Sequence, residues 1–304
     1  STTPGMGRED FLVRATCPRF GNGEGKGLIK DSVRGLDLYI LCDVGAYNCT
    51  YNMYGHEVPM SPDDHYMDLK RTIAAVGGKA KRITVIMPLL YGGRRSARES
   101  LDCALMLQEL NRMGVNNIIT FDAHDPRVVN AIPEGGFESV MPSYQIFKAL
   151  LKRRKDLKLD KDHLMIVSPD EGALDRNIFY ASVLGVDMGM FYKRRDYTRI
   201  VNGRNPIVAH EYMGKEVNGK DVFVADDILS SGESMIEVAH RLKELGANRI
   251  FSAVTFPLFT NGLELYQKSY DEGLIDGVIS TNLTYRTPEL QAAPWFIEAD
   301  MSKY

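Results

Sequence analysis

The sequence predicts an α/β protein of two tandem domains, each a parallel sheet flanked by helices. Three observations carry that expectation. Apolar, β-prone runs alternate with helical patterns along most of the chain, an order that makes strands parallel and places helices across the sheet faces. The chain has 304 residues, room for two domains of ordinary size. The stretch "LQELNRMGVNNIITF" (107–121) is echoed about one domain length later by "AHRLKELGANRIFSAVTF" (239–256). In each, a helix runs into a Gly C-cap, Gly114 or Gly246, and a strand begins shortly after. Chance similarity of two helix–Gly–strand units is the competing explanation. The boundary is expected near the basic stretch "YQIFKALLKRRKDLK", giving domains of residues 1–145 and 146–304. That basic run reads as a solvated helix face.

The elements follow in chain order. "PRFGNGEGKG" sets Phe20, Asn22 and Glu24 on a tight Gly-rich turn. An aromatic face with an amide and an acid suits a purine ring, and a plain hairpin would use the same residues. "RITVIMP" (82–88) reads as a strand, and the loop after it, "LLYGGRRSARES", offers Arg94 and Arg95 at the ligand edge of a parallel sheet. Ser100 to Met113 reads as a helix and "NIITF" (117–121) as a strand. The strand runs into "DAHDP", where His124 lies between Asp122 and Asp125. His and carboxylates at a strand end suit a magnesium–phosphate pair, although a His near a turn is more often structural.

In the second half, "HLMIVS" (163–168) reads as a strand that enters "PDEG" with Asp170, either a metal-site acid or a helix-capping one. A strand over 187–192 ends in Lys193, Arg194 and Arg195 and opens into a long polar loop. Adjacent cations are costly to cluster without an anion, and long loops often close over reactions; a solvated run is the alternative. "VFVADDILSSGESM" (222–235) combines these features. A buried strand over 222–225 delivers Asp226 and Asp227, and Ser230, Ser231, Gly232, Glu233 and Ser234 lead into a helix. Uncovered N–H groups at a helix start form an anion cradle, and the carboxylates suit vicinal hydroxyls. An ordinary βα turn with a Ser N-cap would look alike.

Hydrophobic residues make up 44% and charged residues 25%, with net charge −3, a globular composition that argues for neither a nucleic-acid nor a membrane surface. No stretch approaches membrane-spanning length and no secretory signal pattern opens the chain. The spacing of Cys17, Cys42, Cys49 and Cys103 fits no common zinc pattern, so reduced thiols in a cytoplasm are expected.

These residues together resemble the ribose-phosphate pyrophosphokinase family. "RFGNGE…SVRGLDLYIL", "FDAHDP", "IVSPDEG", "YKRR" and "VADDILSSGES" are similar to that family's motifs and fall in its order. The resemblance implies two type I phosphoribosyltransferase-like domains in a homo-oligomer, dimer or hexamer, with an ATP site shared between subunits. It implies pyrophosphoryl transfer from MgATP to ribose 5-phosphate. Lys193 and Arg195 would then be catalytic, and His124 and Asp170 would hold magnesium. Asp226, Asp227 and Ser230 to Ser234 would bind ribose 5-phosphate, and Phe20, Asn22, Glu24, Arg94 and Arg95 would bind ATP. The sequence departs from the family in places. The loop after Pro88 is short and lacks the family's Arg-Gln-Asp or Arg-Gln-His segment. Ser230 stands where many members have an Asp, and Glu171 replaces a common His. The departures leave a non-catalytic regulatory homologue, or a synthetase for another sugar phosphate, as alternatives.

Overall fold

The structure, a computed structural model, describes residues 11–94, 100–195 and 207–302. It divides into two compact units, residues 1–140 and 141–304.

The first unit opens with a short antiparallel pair, β1 (Ala15–Thr16) and β2 (Leu28–Ile29). β3 (Asp37–Leu41) follows, then a hairpin of β4 (Thr50–Met53) and β5 (His56–Pro59). Helix α1 (Pro62–Val76) starts at a capping box. Ser61 Oγ accepts from the Asp64 N–H at 3.2 Å, Asp64 accepts from the Ser61 N–H at 2.9 Å, and Pro62 occupies the first turn. Its buried stripe is Tyr66, Leu69, Ile73 and Val76, at helical spacing. β6 (Arg82–Ile86), α2 (Asp102–Arg112), β7 (Asn117–Phe121), a 3-10 turn over Pro126–Ala131 and β8 (Gly136–Val140) complete the unit. β3, β6, β7 and β8 form a four-stranded parallel sheet in that order.

The second unit begins with α3 (Ser143–Arg153), so the whole basic helix belongs to it. Then come β9 (Leu164–Ser168), α4 (Leu174–Leu184), β10 (Asp187–Arg195), β11 (Ile207–Gly214), β12 (Asp221–Leu229) and α5 (Glu233–Glu244). β13 (Ile250–Pro257), α6 (Glu264–Asp271), β14 (Gly277–Thr281), α7 (Pro288–Ala292) and β15 (Phe296–Ala299) close the chain. The sheet order is β11-β10-β9-β12-β13-β14-β15, parallel except for the β10–β11 edge pair. Both faces are buried. Val222 and Val224 face one core with α5 and α6, while Phe223 and Ala225 face the other with α3 and α4. This is why residues 222–225 of β12 read as an unbroken apolar run rather than an alternating one.

The echo in the sequence is an echo of backbone. α2 and α5 end just before Gly114 (φ 90°) and Gly246 (φ 85°), left-handed positions that favour glycine. The Gly114 and Gly246 N–H groups donate back to Asn111 and Lys243, and the next residues donate to Leu110 and Leu242.

One strand differs from its sequence-based extent. β12 does not leave the sheet at Asp226 and Asp227 but runs on to Leu229. The reason is its neighbour: β13 is long enough to pair Asp226 with Val254, Ile228 with Phe256 and Leu229 with Pro257.

At the opposite end of β12, Asp221 is 5% exposed and meets the Arg249 guanidinium through both carboxylate oxygens, at 3.0 and 2.6 Å. Arg249 also pairs with Asp156, ahead of β9. Removing the cation strands a buried carboxylate. Arg249→Ala should therefore destabilise the second unit by about 3 kcal/mol, and Arg249→Lys by less. Urea unfolding followed by Trp295 fluorescence, the sole tryptophan and 1% exposed, measures this.

Candidate active site

In the second sheet the strand order reverses between β9 and β12. From β9 the chain crosses to β10 on one side, and from β12 it proceeds to β13, β14 and β15 on the other. Connections on opposite sides leave a crevice at the carboxyl ends of the two central strands, the usual ligand position in an open α/β sheet. Asp170 follows β9, and Asp226 and Asp227 lie in the last part of β12.

Asp170 is half-buried, and its Oδ1 accepts the Ala173 N–H at 3.2 Å, which shapes the turn into α4. Ser168 Oγ donates to the Asp170 carbonyl at 2.7 Å. The side chain therefore braces the turn before α4 and does not cap the helix, whose N-cap is Ala173 with no side-chain cap bond, and it remains at the crevice.

Asp226 and Asp227 brace their own backbone: Asp226 Oδ1 accepts the Asp227 N–H, and Asp227 Oδ1 the Ile228 N–H, both at 2.9 Å. Asp227 is 4% exposed. Burial and the neighbouring Asp227 carboxylate push the Asp226 carboxyl up to about 7, against the opposing pull of Arg176. Arg176 Nη1 lies 3.6 Å from Asp226 Oδ1.

The cradle is capped by backbone, not by a serine. The N-cap of α5 is Gly232, left-handed at φ 81°, and no side chain caps the helix. A Ser there would have covered N–H groups that this arrangement leaves to a ligand. Ser230 and Ser231 are half-buried, and Glu233 and Ser234 are exposed, so the loop is open to solvent. Its floor is Tyr266, fully buried, whose hydroxyl approaches the Gly232 carbonyl at 3.3 Å. Ser230 Oγ and Thr260 Oγ1 lie 3.3 Å apart. Lys193 and Arg195 end β10, where only the backbone is described.

In the first unit, His124 is exposed in the loop after β7. The residue at the strand's exit, Asp122, is buried with φ 45°. Phe20 is half exposed on a turn closed by an Arg19–Gly25 bridge, with Lys26 Nζ 5.5 Å from its ring centre. Asn22 and Glu24 hold each other: Asn22 Nδ2 donates to Glu24 Oε2 and Asn22 Oδ1 accepts the Glu24 N–H, both at 3.1 Å. Behind the turn, Arg19 forms a two-pronged pair with Asp68 at 2.7 and 2.9 Å. Arg94 is exposed, and Arg95 lies outside the described residues.

Arg176, Asn177, Tyr266 and Thr260 were not among the sequence-based candidates. Asn177 had a signal: with Tyr180 and Ala181 it occupies the buried stripe of α4, a place where an unpaired amide would be costly.

Residues 136–274 match the phosphoribosyl transferase domain family, and residues 10–114 match the N-terminal domain of ribose phosphate pyrophosphokinase. The chain belongs to the ribose-phosphate pyrophosphokinase family. Curated ribose-phosphate pyrophosphokinases of Ralstonia nicotianae and Vibrio cholerae are 27% and 28% identical over 92% of this chain and cover 81% and 82% of their own lengths. The one from Thermosipho africanus is 27% identical over 95% of this chain and 85% of its own. The phosphoribosylpyrophosphate synthetase structure from Mycobacterium smegmatis shares the fold with a TM-score of 0.76 at 21% identity, over 95% of this chain and 86% of that one. The α/β architecture with a phosphoribosyltransferase-type second unit is thus the family's own.

Two predictions follow from the crevice geometry. A Cβ on Gly232 would lie 2.3 Å from Tyr266 Cε2 at a φ that side chains avoid. Gly232→Ala should cost about 1–3 kcal/mol in stability and lower inorganic phosphate affinity at least about tenfold, read by unfolding and by calorimetry. The Asp226 carboxyl is raised from 3.8 to about 7, so between these values the folded state keeps a proton that the unfolded state has released. Stability from this group falls as pH rises through that window. Asp226→Asn should flatten that slope, and urea midpoints at pH 5 and 7.5 would show the variant gaining on the parent at the higher pH.

Proposed function

We propose that the protein transfers a pyrophosphoryl group from MgATP to ribose 5-phosphate, giving phosphoribosyl pyrophosphate and AMP. The observation that carries this reading is the pairing, on one strand–loop–helix unit, of two carboxylates with an uncapped N–H cradle. A sugar bearing vicinal hydroxyls at one end and a phosphate at the other matches both. The N–H groups of Ser231 to Ser234 and the dipole of α5 take the phosphate, with the Ser230, Ser231 and Ser234 hydroxyls beside them. Asp226 and Asp227 accept from the ribose hydroxyls, which fixes the anomeric hydroxyl as the free nucleophile. Ionised Asp226 is the better acceptor, so sugar affinity rises with pH through about 7.

The reaction needs a divalent cation, and we assign magnesium. Asp170 in the second unit is the oxygen donor such an ion takes, and His124 in the first unit is assigned, like Asp170, to magnesium or magnesium-bound water by the resemblance alone. Magnesium keeps several waters and uses few protein ligands beside substrate phosphates, so a cage is not required. Among the described residues no group of three or more His, Cys, Asp or Glu forms one. When bound, the ion neutralises charge on the ATP phosphates. Lys193 and Arg195 stabilise the charge that develops as the β-phosphorus passes to the sugar oxygen, since phosphoryl-type transfer depends on positioning and cations rather than covalent catalysis. Phe20, Asn22, Glu24, Arg94 and Arg95 contact ATP. The interlocked Asn22 and Glu24 present a rigid turn with the Phe20 ring exposed beside it.

The ATP site is shared within a homo-oligomer, dimer or hexamer. The first unit supports a self-association surface: Leu12 is 87% exposed, and Tyr39 and Leu41 are 64% and 70% exposed on the edge strand β3. Among the described residues no helix is long and apolar enough to cross a membrane. We propose a cytoplasmic location on a separate ground, the reading of the four cysteines as reduced thiols.

The deciding experiment incubates the protein with MgATP and ribose 5-phosphate and follows AMP. Stoichiometric AMP and pyrophosphorylated sugar are expected; none with this sugar or others would favour a regulatory homologue. Lys193→Ala should lower single-turnover AMP formation about a hundredfold or more, roughly 3 kcal/mol, with little change in ribose 5-phosphate affinity. Arg195→Ala should behave alike and Arg194→Ala should matter less. Near-normal turnover of Lys193→Ala would sink the assigned mechanism.

A further inference from the structure

The crevice depends on a backbone group that strand pairing cannot satisfy. β12 pairs with β9 in parallel from Asp221 with Leu164 to Val224 with Val167. The Asp221 N–H donates to the His163 carbonyl at 2.8 Å, so the odd-numbered residues of β12 point their peptide groups at β9. In a parallel ladder the next such residue, Ala225, would donate to residue 167 and accept from the N–H of residue 169. Residue 169 is Pro169, which has no N–H. The ladder must stop there, immediately before Asp226.

A side chain takes over. Asn177, from the first turns of α4, is 0% exposed. Its Nδ2 donates to the Ala225 carbonyl at 2.8 Å, and its Oδ1 accepts the Ala225 N–H at 3.2 Å. The carboxamide has the donor and acceptor of a peptide group and here serves as one for β12. The same Nδ2 reaches the Ala173 carbonyl at 2.7 Å and Ser168 Oγ at 3.3 Å. Ser168 Oγ in turn donates to the Asp170 carbonyl, and Ala173 N–H to the Asp170 carboxylate. One buried amide therefore ties the residue before Asp226 to the turn that carries Asp170.

We propose that Asn177 is a positioning residue that sets the sugar-binding carboxylates of β12 against the Asp170 turn by supplying the hydrogen bond that Pro169 withholds. Asn177 touches no substrate; its effect passes through the backbone of Ala225. The proposal rests on the function assigned above for its kinetic reading, and on the ladder alone for its structural reading.

The test uses the full chain and a rescue. Asn177→Ala should raise the KM for ribose 5-phosphate at least tenfold while kcat and the KM for ATP change less than threefold. Adding Pro169→Ala, which restores an N–H at position 169, should recover most of that loss. Asn177→Ser guards against misfolding: a serine on a helix bonds back to the carbonyl four residues earlier, here Ala173, but falls short of Ala225. It should stay folded at the assay temperature, with a melting temperature lowered less than in Asn177→Ala, and still raise the KM for ribose 5-phosphate. An unchanged KM in Asn177→Ser, or a double variant no better than Asn177→Ala, overturns the proposal. If the parent chain makes no AMP, the functional reading fails and hydrogen exchange decides the rest. Faster exchange in the segment around Ala225 in Asn177→Ser, slowed again by Pro169→Ala, supports the placement, and unchanged exchange overturns it.

Discussion

A parallel strand bonds to its neighbour through every second residue, and that arithmetic fails in this protein at one proline. Pro169 ends the ladder between β9 and β12 after Val167 and Val224. Up to that point β12 is buried on both faces and held on both edges. Beyond it, β12 keeps β13 on one edge and opens on the other. Asp226 therefore belongs to a strand rigid enough to fix its position and exposed enough to reach a ligand, with the buried Asp227 next to it. A chemical site needs both properties, and the end of a short neighbour inside a sheet supplies them together.

The electrostatics follow from the same opening. Burial and the adjacent Asp227 carboxylate raise the proton affinity of Asp226, and Arg176 is its nearby counter-charge at 3.6 Å. The arrangement costs stability near neutral pH. Hydroxyl groups that donate to the carboxylates relieve the cost, and so does a cation at the crevice. An unfavourable resting electrostatic state is common where a site is organised for a ligand rather than for the fold. The Arg249–Asp221 pair at the other end of the same strand shows the contrast, since there both carboxylate oxygens accept from the Arg249 guanidinium and Oδ1 also accepts from Asn248.

Much of this was legible in the sequence. A strand such as 250–256 declares itself because burial on both faces favours apolar residues along most of its length. The helix–Gly–strand echo was readable because left-handed termination after α2 and α5 calls for glycine. The order of the acids along the chain located the crevice. Other features left weaker marks. The edge strands β8 and β15 are short, and each carries a charged residue, so their composition resembles loops. The extension of β12 past Asp227 is set by the length of β13, a partner more than twenty residues away. The plain cap at Gly232 replaced the serine cap that composition suggested, because Tyr266 leaves no room for a Cβ there.

Asn177 shows where such reading stops. Within "LDRNIFYASVL" its position on the buried stripe signals that the amide must be satisfied. Nothing local names the partner, which lies 48 residues on in β12. The partner follows only when Pro169 and the β9–β12 register are considered together, since the missing donor is a property of the pairing and not of either segment. Polar groups in this core are thus spent on the join between two strand ends, where the backbone alone cannot complete its bonds. The same join carries Asp170 on one side and Asp226 on the other, so the demand for backbone satisfaction and the demand for a defined site are met by one side chain.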